Sequence, residues 1–232
     1  MKQILELNKT KYLNDILALY IDRFDDPEEY RKFFFKNMFP PMRVFGILQD
    51  EKLISMAFVS DKTIVFDNQR YNCPLLSYVA TDKNYTHQKN AFNLIEYIKS
   101  VFKREKSAGL YLCPVYPKVY MGNSFFPFCY EREIVLHYDG NGKAYTRKAN
   151  KDDIGLLFEV YNKFMSKRNA FIIRSRKYFE TFILLQDIDL IYNGNDCLGY
   201  AAYDGVYYEV CASVELLQSV KDFDGKTVSI SS

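Results

Sequence analysis

The sequence predicts an α+β fold: a mixed, mainly antiparallel sheet with flanking helices, followed by a second, partial unit of the same kind. Three observations carry this. Arg43–Val59 and Thr63–Ala80 read as successive hairpins. Cys73–Cys113 reads as strand, polar turn, helix, strand. Ile191–Ala201 lies beside Ile47–Ala57 without a gap, Ile with Ile, Gly199 with the small Ser55, Ala with Ala.

The first helix is capped by Asn8 or Thr10, with Leu13, Ile16, Leu17 and Tyr20 on one face. Asp25-Asp26-Pro27 opens a second helix, with Glu28 and Glu29 at its positive end. Phe33, Phe34, Phe35, Met38 and Phe39 crowd it, and Pro40-Pro41 ends it. Arg43–Leu48 and Leu53–Val59 pair through the turn Gln49–Lys52. Thr63–Phe66 is expected to pair with the strand at 73–80 through the turn 67–69. After the polar break Thr81–Lys89, the residues Ala91, Leu94, Ile95, Ile98, Val101 and Phe102 form a helical apolar stripe. Gly109 is read as its stop and Leu110–Cys113 as the next strand. A turn of this kind aims the first N–H groups of the helix forward, and phosphate is their usual occupant.

Glu131–Tyr138 alternates apolar and polar residues and is expected to close the first sheet. Asp139–Gly142 marks the domain boundary, giving units over 1–140 and 147–232. In the second, Ile154–Tyr161 echoes the first helix and Ser175–Leu185 the second, with Ser175 as cap. Ser213 leads straight into Val214–Leu217, leaving no room for a phosphate loop.

Val79-Ala-Thr-Asp-Lys-Asn-Tyr-Thr-His-Gln-Lys-Asn-Ala91 resembles the acyl-CoA loop of the GNAT N-acetyltransferases. Thr86 stands where that family has Arg and Lys89 where it has its first Gly, while Ala91 keeps the small last position. The resemblance implies acetyl-CoA as cofactor, held by Tyr78, Val79, Ala80, Thr81, Thr86, His87, Gln88, Lys89, Asn90 and Ala91. With Thr86 and Lys89 in the loop, binding is expected to be weak. Lys83 and Lys89 would bring charge to the phosphates, or are plain solvated loop lysines. Tyr120-Met-Gly-Asn-Ser-Phe125 is similar to the family's Tyr-x-x-x-Gly-Phe, with Ser124 for Gly. The resemblance makes Tyr120 the proton donor to the departing thiolate; otherwise it is one of 20 tyrosines in an aromatic-rich chain. His137 is either a base for the amine or a structural strand histidine.

Two such units in tandem resemble the Eis-type acetyltransferases, over most of 1–220. Those enzymes continue into a sterol-carrier-like domain whose terminal carboxylate acts with the tyrosine, and no counterpart is expected in a sequence ending at Ser232. The implied activity is acetyl-CoA-dependent N-acetylation of a small-molecule or peptide amine by direct attack on the thioester. The alternative is a GNAT-fold binding protein without acyl transfer. Transfer from a charged tRNA is a third reading.

Composition narrows the partners. With a net charge of +2, bulk electrostatics point neither to nucleic acid nor to an acidic membrane. No apolar run reaches the roughly 18 residues of a membrane span. Five cysteines without a C-x-x-C pair and two distant histidines argue against a metal site. Cys73 and Cys113 are expected as buried strand thiols. The odd cysteine count and the lack of a signal peptide suggest the cytoplasm. Self-association into a homo-oligomer is left open.

Overall fold

The computed structural model describes residues 1–127, 131–140 and 142–231, so Cys129 and Asn141 lie outside it. The chain divides into two compact units, Met1–Phe126 and Pro127–Ser232.

The first unit runs β1 (Lys2–Glu6), α1 (Leu13–Arg23), α2 (Glu28–Asn37), β2 (Arg43–Gln49), β3 (Lys52–Ser60), β4 (Thr63–Phe66), β5 (Gln69–Asn72), β6 (Leu75–Thr81), α3 (Asn90–Arg104) and α4 (Lys118–Met121). Its main sheet has the order β1-β2-β3-β6, antiparallel throughout. Alternation along β2 and β3 sends Met56 and Phe58 to the α1–α2 side, with Phe34 and Tyr20, and Phe45, Ile47 and Ala57 to the α3 side. Arg43 closes one end of this sheet. It hydrogen-bonds both Glu6 and Glu105 and lies over the rings of Phe45 and Phe102.

Four sequence expectations change here. The strand β1 is added at one edge; its five residues are too short to show a clear period. The partner of β4 is the separate strand β5, while β6 pairs with β3. Leu110–Cys113 makes only an isolated parallel bridge, Leu75 with Tyr111, and Cys113 is exposed. Finally, α3 ends before Gly109, where Lys106 turns left-handed (φ 60°) and Ser107 N–H reaches the Phe102 carbonyl at 2.9 Å.

The second unit contains β7 (Glu131–Val135), β8 (Ala144–Lys148), α5 (Ile154–Met165), β9 (Ala170–Ile172), α6 (Arg176–Leu185), β10 (Asp187–Asn193), β11 (Asp196–Asp204), β12 (Val206–Cys211), α7 (Val214–Gln218) and β13 (Thr227–Ser231). Its sheet order is β7-β13-β12-β11-β10-β8. Glu131–Val135 therefore pairs with β13 in this sheet and does not close the first one. Ser175 caps α6 as expected, its hydroxyl accepting from the Tyr178 N–H.

Within each unit the central hairpin has the same register. Ile47 faces Ser55, with a bulge before Leu48, and Ile191 faces Gly199, with a bulge before Tyr192. A β-carbon on Gly199 would sit 2.7 Å from the Cys211 carbonyl oxygen, so the second hairpin needs glycine where the first takes serine. The order β1-β2-β3-β6 also recurs as β8-β10-β11-β12.

Candidate active site

The site starts from an irregularity in β6. Met56 faces Ala80 and Phe58 faces Ser77, so Tyr78 and Val79 together oppose Ala57. Tyr78 takes φ 50°. Such a bulge locally disrupts the ladder and re-aims side chains. The Tyr78 ring turns into the aromatic layer of α1 and α2, 4.7 Å from Phe34 and 5.3 Å from Tyr20 between ring centres. Its hydroxyl lies 3.2 Å from that of Tyr30, and burial raises its pKa. Val79 packs against the opposite layer. What β6 offers a ligand at this point is therefore backbone, with the Tyr78 ring serving as packing. The hydroxyl of neighbouring Ser77 is buried without a hydrogen-bond partner among the described residues.

The outer edge of β6 is engaged only at its start. Leu76 N–H donates to the Tyr111 carbonyl at 2.9 Å, and Tyr111 N–H to the Pro74 carbonyl at 3.1 Å. From Ser77 to Thr81 no described strand pairs with that edge. The sheet is thus open beside the bulge.

Past Thr81, whose hydroxyl lies 2.9 Å from that of Ser55, Asp82 caps a single turn, Lys83–Tyr85. The Lys52 ammonium holds the Asp82 carboxyl below its usual range, at 2.8 Å. Lys83 pairs with Asp22 at 3.5 Å, so its charge is directed to α1. His87 and Lys89 are both left-handed, at φ 60° and 57°. Lys89 stands as the residue before α3 and gives no side-chain cap, and the first turn carries no acidic residue. The first helical bond runs from Asn93 N–H to the Lys89 carbonyl, leaving the N–H groups of Asn90, Ala91 and Phe92 without intrahelical acceptors. They and the helix dipole face a hollow of about 270 Å³ lined by Thr81, Tyr85, Thr86, His87, Lys89, Asn90, Ala91 and Phe92.

Six of the ten expected loop residues line that hollow: Thr81, Thr86, His87, Lys89, Asn90 and Ala91. Tyr78, Val79, Ala80 and Gln88 do not. Ala80 is buried in the α1–α2 core, and Gln88 is exposed. Tyr85 and Phe92 are additional walls. The lining suits a phosphate-bearing ligand: N–H groups, a lysine at position 89 with no ion pair among the described residues, a small Ala91 and no carboxylate. A left-handed residue with a β-carbon costs about 1–2 kcal/mol, and glycine removes that cost at the expense of a freer unfolded chain. Lys89→Gly is therefore expected to stabilise the protein by roughly 0.5 kcal/mol; a lower melting temperature would contradict the left-handed backbone at position 89.

Tyr120 sits on α4. Its ring is half-buried against the α3 core layer and meets Phe125 edge-on at 6.2 Å. No hydrogen bond to its hydroxyl is present among the described residues, and burial raises its pKa, so it is a neutral, uncommitted donor. Ser124, at the glycine position of the resembling motif, is left-handed (φ 58°), the region that favours glycine. Asn123 was not foreseen. It is 2% exposed, and its Nδ2 donates to Glu96 Oε1 at 2.8 Å and to the Phe92 carbonyl at 3.2 Å. Lys99 donates to the Asn123 carbonyl at 2.7 Å and pairs with Glu96 at 3.0 Å. The Asn123 amide, with Lys99 behind it, lowers the Glu96 pKa. The turn bearing Tyr120 is thus bolted to α3. A lone asparagine inside an aromatic stretch was the available signal. His137 is exposed and lies beyond β7 in the second unit.

In the second unit the helix that follows β12 has a closed end. Ser213 caps α7, its hydroxyl accepting from the Leu216 N–H, and that helix has five residues. Among the described residues no group of three or more His, Cys, Asp or Glu could hold a metal, and no helix is long and apolar enough to cross a membrane.

The unit thus combines a bulged edge strand, a left-handed loop and an uncapped helix, in this order, in an α+β frame. Residues 5–123 match the family model of the acetyltransferase (GNAT) domain, just over half of the 232 residues, and the chain belongs to that family. Among solved structures it is similar to a probable N-acyltransferase from Enterococcus faecalis, with 16% identity and a TM-score of 0.74 over 100% of this chain and 65% of that one. Eis1 from Mycobacterium abscessus aligns at 10% identity and TM-score 0.64, over 99% of this chain and 65% of its own. N-myristoyltransferase from Saccharomyces cerevisiae, solved with myristoyl-CoA, aligns at 12% and 0.58, over 87% and 59%. Identities this low speak for the fold. The chain spans just under two thirds of the length of the Enterococcus relative, 65%. A search of curated proteins by sequence returns no match.

Proposed function

We propose that the protein is an acetyl-CoA-dependent N-acetyltransferase acting on an amine of a small molecule or peptide. One observation carries this reading: the uncapped N-terminus of α3, entered through a left-handed loop, opens beside an edge strand, β6, whose outer side has no described strand partner over Ser77–Thr81. Acetyl-CoA would supply the activated acyl group. The N–H groups of Asn90–Phe92 and the Lys89 ammonium would hold its phosphates. Backbone donors at the Tyr78–Val79 bulge would polarise the thioester carbonyl. The neutral amine nitrogen would attack the carbonyl carbon, the carbon–sulfur bond would break, Tyr120 would give its proton to the thiolate, and the proton lost from the nitrogen would return through water to the Tyr120 phenolate. The repeated hairpin register and sheet order support a tandem arrangement, in which the second unit, with α7 closed by Ser213, has no cofactor end.

One observation favours a binding protein without chemistry. Thr86 replaces the family arginine, and its hydroxyl is turned inward to the Lys83 carbonyl at 3.1 Å. Isothermal titration with acetyl-CoA, followed by thiol release with a panel of primary amines and peptides, separates the readings. Weak saturable binding with amine-dependent thiol release is expected. Binding without release favours the second reading, and no heat at about 1 mM cofactor, some 4 kcal/mol of affinity, removes the first.

A further inference from the structure

The loop before α3 contains no glycine, yet two of its residues, His87 and Lys89, are left-handed. Backbone strain of this kind persists only where the surroundings impose it. One side chain spans the strained segment. Asn90 Nδ2 donates to the Tyr85 carbonyl at 2.7 Å, closing a ring of chain that encloses both left-handed residues. Asn90 is 2% exposed, lines the hollow, and leaves its Oδ1 buried with no hydrogen-bond partner among the described residues. Thr86 adds a second tie, to Lys83, within the same turn. No other described side chain bridges the two ends of the loop.

We propose that Asn90 is the positioning residue of this loop: its carboxamide tether holds Thr86–Lys89 in the course, left-handed at His87 and Lys89, that presents backbone N–H groups to the phosphates of acyl-CoA. This rests on the acyl-CoA reading given above. The tether does with a side chain what glycine achieves by conformational freedom. The unpaired Oδ1 is an acceptor in the wall of the same hollow, available to a donor brought in with the ligand.

The test combines CoA titration with amide hydrogen exchange on wild type, Asn90→Ala, Asn90→Ser and the double variant Lys89→Gly/Asn90→Ala. Alanine is expected to weaken CoA binding about 3–10-fold, the loss of one intramolecular hydrogen bond. Amides 86–89 should exchange faster, with the core of α3 unchanged. Serine, too short to reach Tyr85, should behave alike and serves if the alanine variant fails to fold. With glycine at position 89 the tether is redundant, so the double variant should bind within about twofold of Lys89→Gly alone. Unchanged affinity and unchanged loop exchange in Asn90→Ala overturn the proposal. So does a loss of affinity that merely follows global melting and that glycine does not restore. If wild type takes up no CoA, the acyl-CoA reading fails, and loop exchange alone then decides whether Asn90 is the tether.

Discussion

Replacing Tyr120 by phenylalanine is expected to lower turnover ~10²–10⁴-fold while leaving CoA affinity and melting temperature nearly unchanged. The substitution keeps the ring that packs on the α3 layer and deletes only a hydroxyl with no hydrogen bond among the described residues. No buried bond is broken, so no stability cost of ~1 kcal/mol is expected. The loss should fall on kcat more than KM, because the donor is used as the thiolate departs. Turnover and melting measured on the same preparation decide it. Full activity in the variant would move the proton donor elsewhere, to water or another side chain.

The second large effect is structural and lies in the other unit. Arg174 follows β9 and precedes the Ser175 cap, and its guanidinium lies 4.3 Å from the centre of the Tyr178 ring and 4.8 Å from that of Tyr161. It pairs with Glu209, which also accepts from the Tyr200 hydroxyl at 2.7 Å. The two side chains are 18% and 13% exposed. Burial disfavours the charged arginine, but Glu209 and the surrounding groups raise its pKa overall. Arg174→Ala leaves a carboxylate buried without its cation, a change that typically costs ~3–5 kcal/mol. Arg174→Met together with Glu209→Gln should cost clearly less, since no charge is stranded. Urea unfolding of the three proteins tests this. Equal losses in single and double variants would show that packing on the rings, and not the charge, is what Arg174 contributes.

The sequence showed most of the architecture because periodicity and capping are local. The stripe from Leu94 to Phe102, the Ser175 cap and the gapless pairing of 47–57 with 191–201 all survive folding. What it hid was backbone shape. Lys89, Ser124 and Lys106 adopt the left-handed region in which glycine is usual, so a reading by residue type sees a degraded loop, a substituted turn and a helix stop displaced to Gly109. The backbone nonetheless takes the glycine-like course, with the Asn90 side chain bonded back to the Tyr85 carbonyl across the loop. The sheet assignment of Glu131–Val135 was equally invisible. Alternation reports that a strand exists but not its partner, and β7 finds its partner about a hundred residues later in β13.

The bolt formed by Asn123, Glu96 and Lys99 has a consequence for precision. In the proposed reaction the phosphates meet the first turn of α3, and the turn bearing Tyr120 is fastened to that same helix at Phe92, Glu96 and Lys99. A helix rises ~1.5 Å per residue, so Asn90 and Glu96 are held ~9 Å apart by covalent geometry and backbone hydrogen bonds. The helix serves as a ruler between the two ends of a ligand. Losing one residue between them would shorten the rule by ~1.5 Å and swing the anchor by ~100°. Exposed residues of α3 outside these contacts can therefore vary, while its length between those two points cannot.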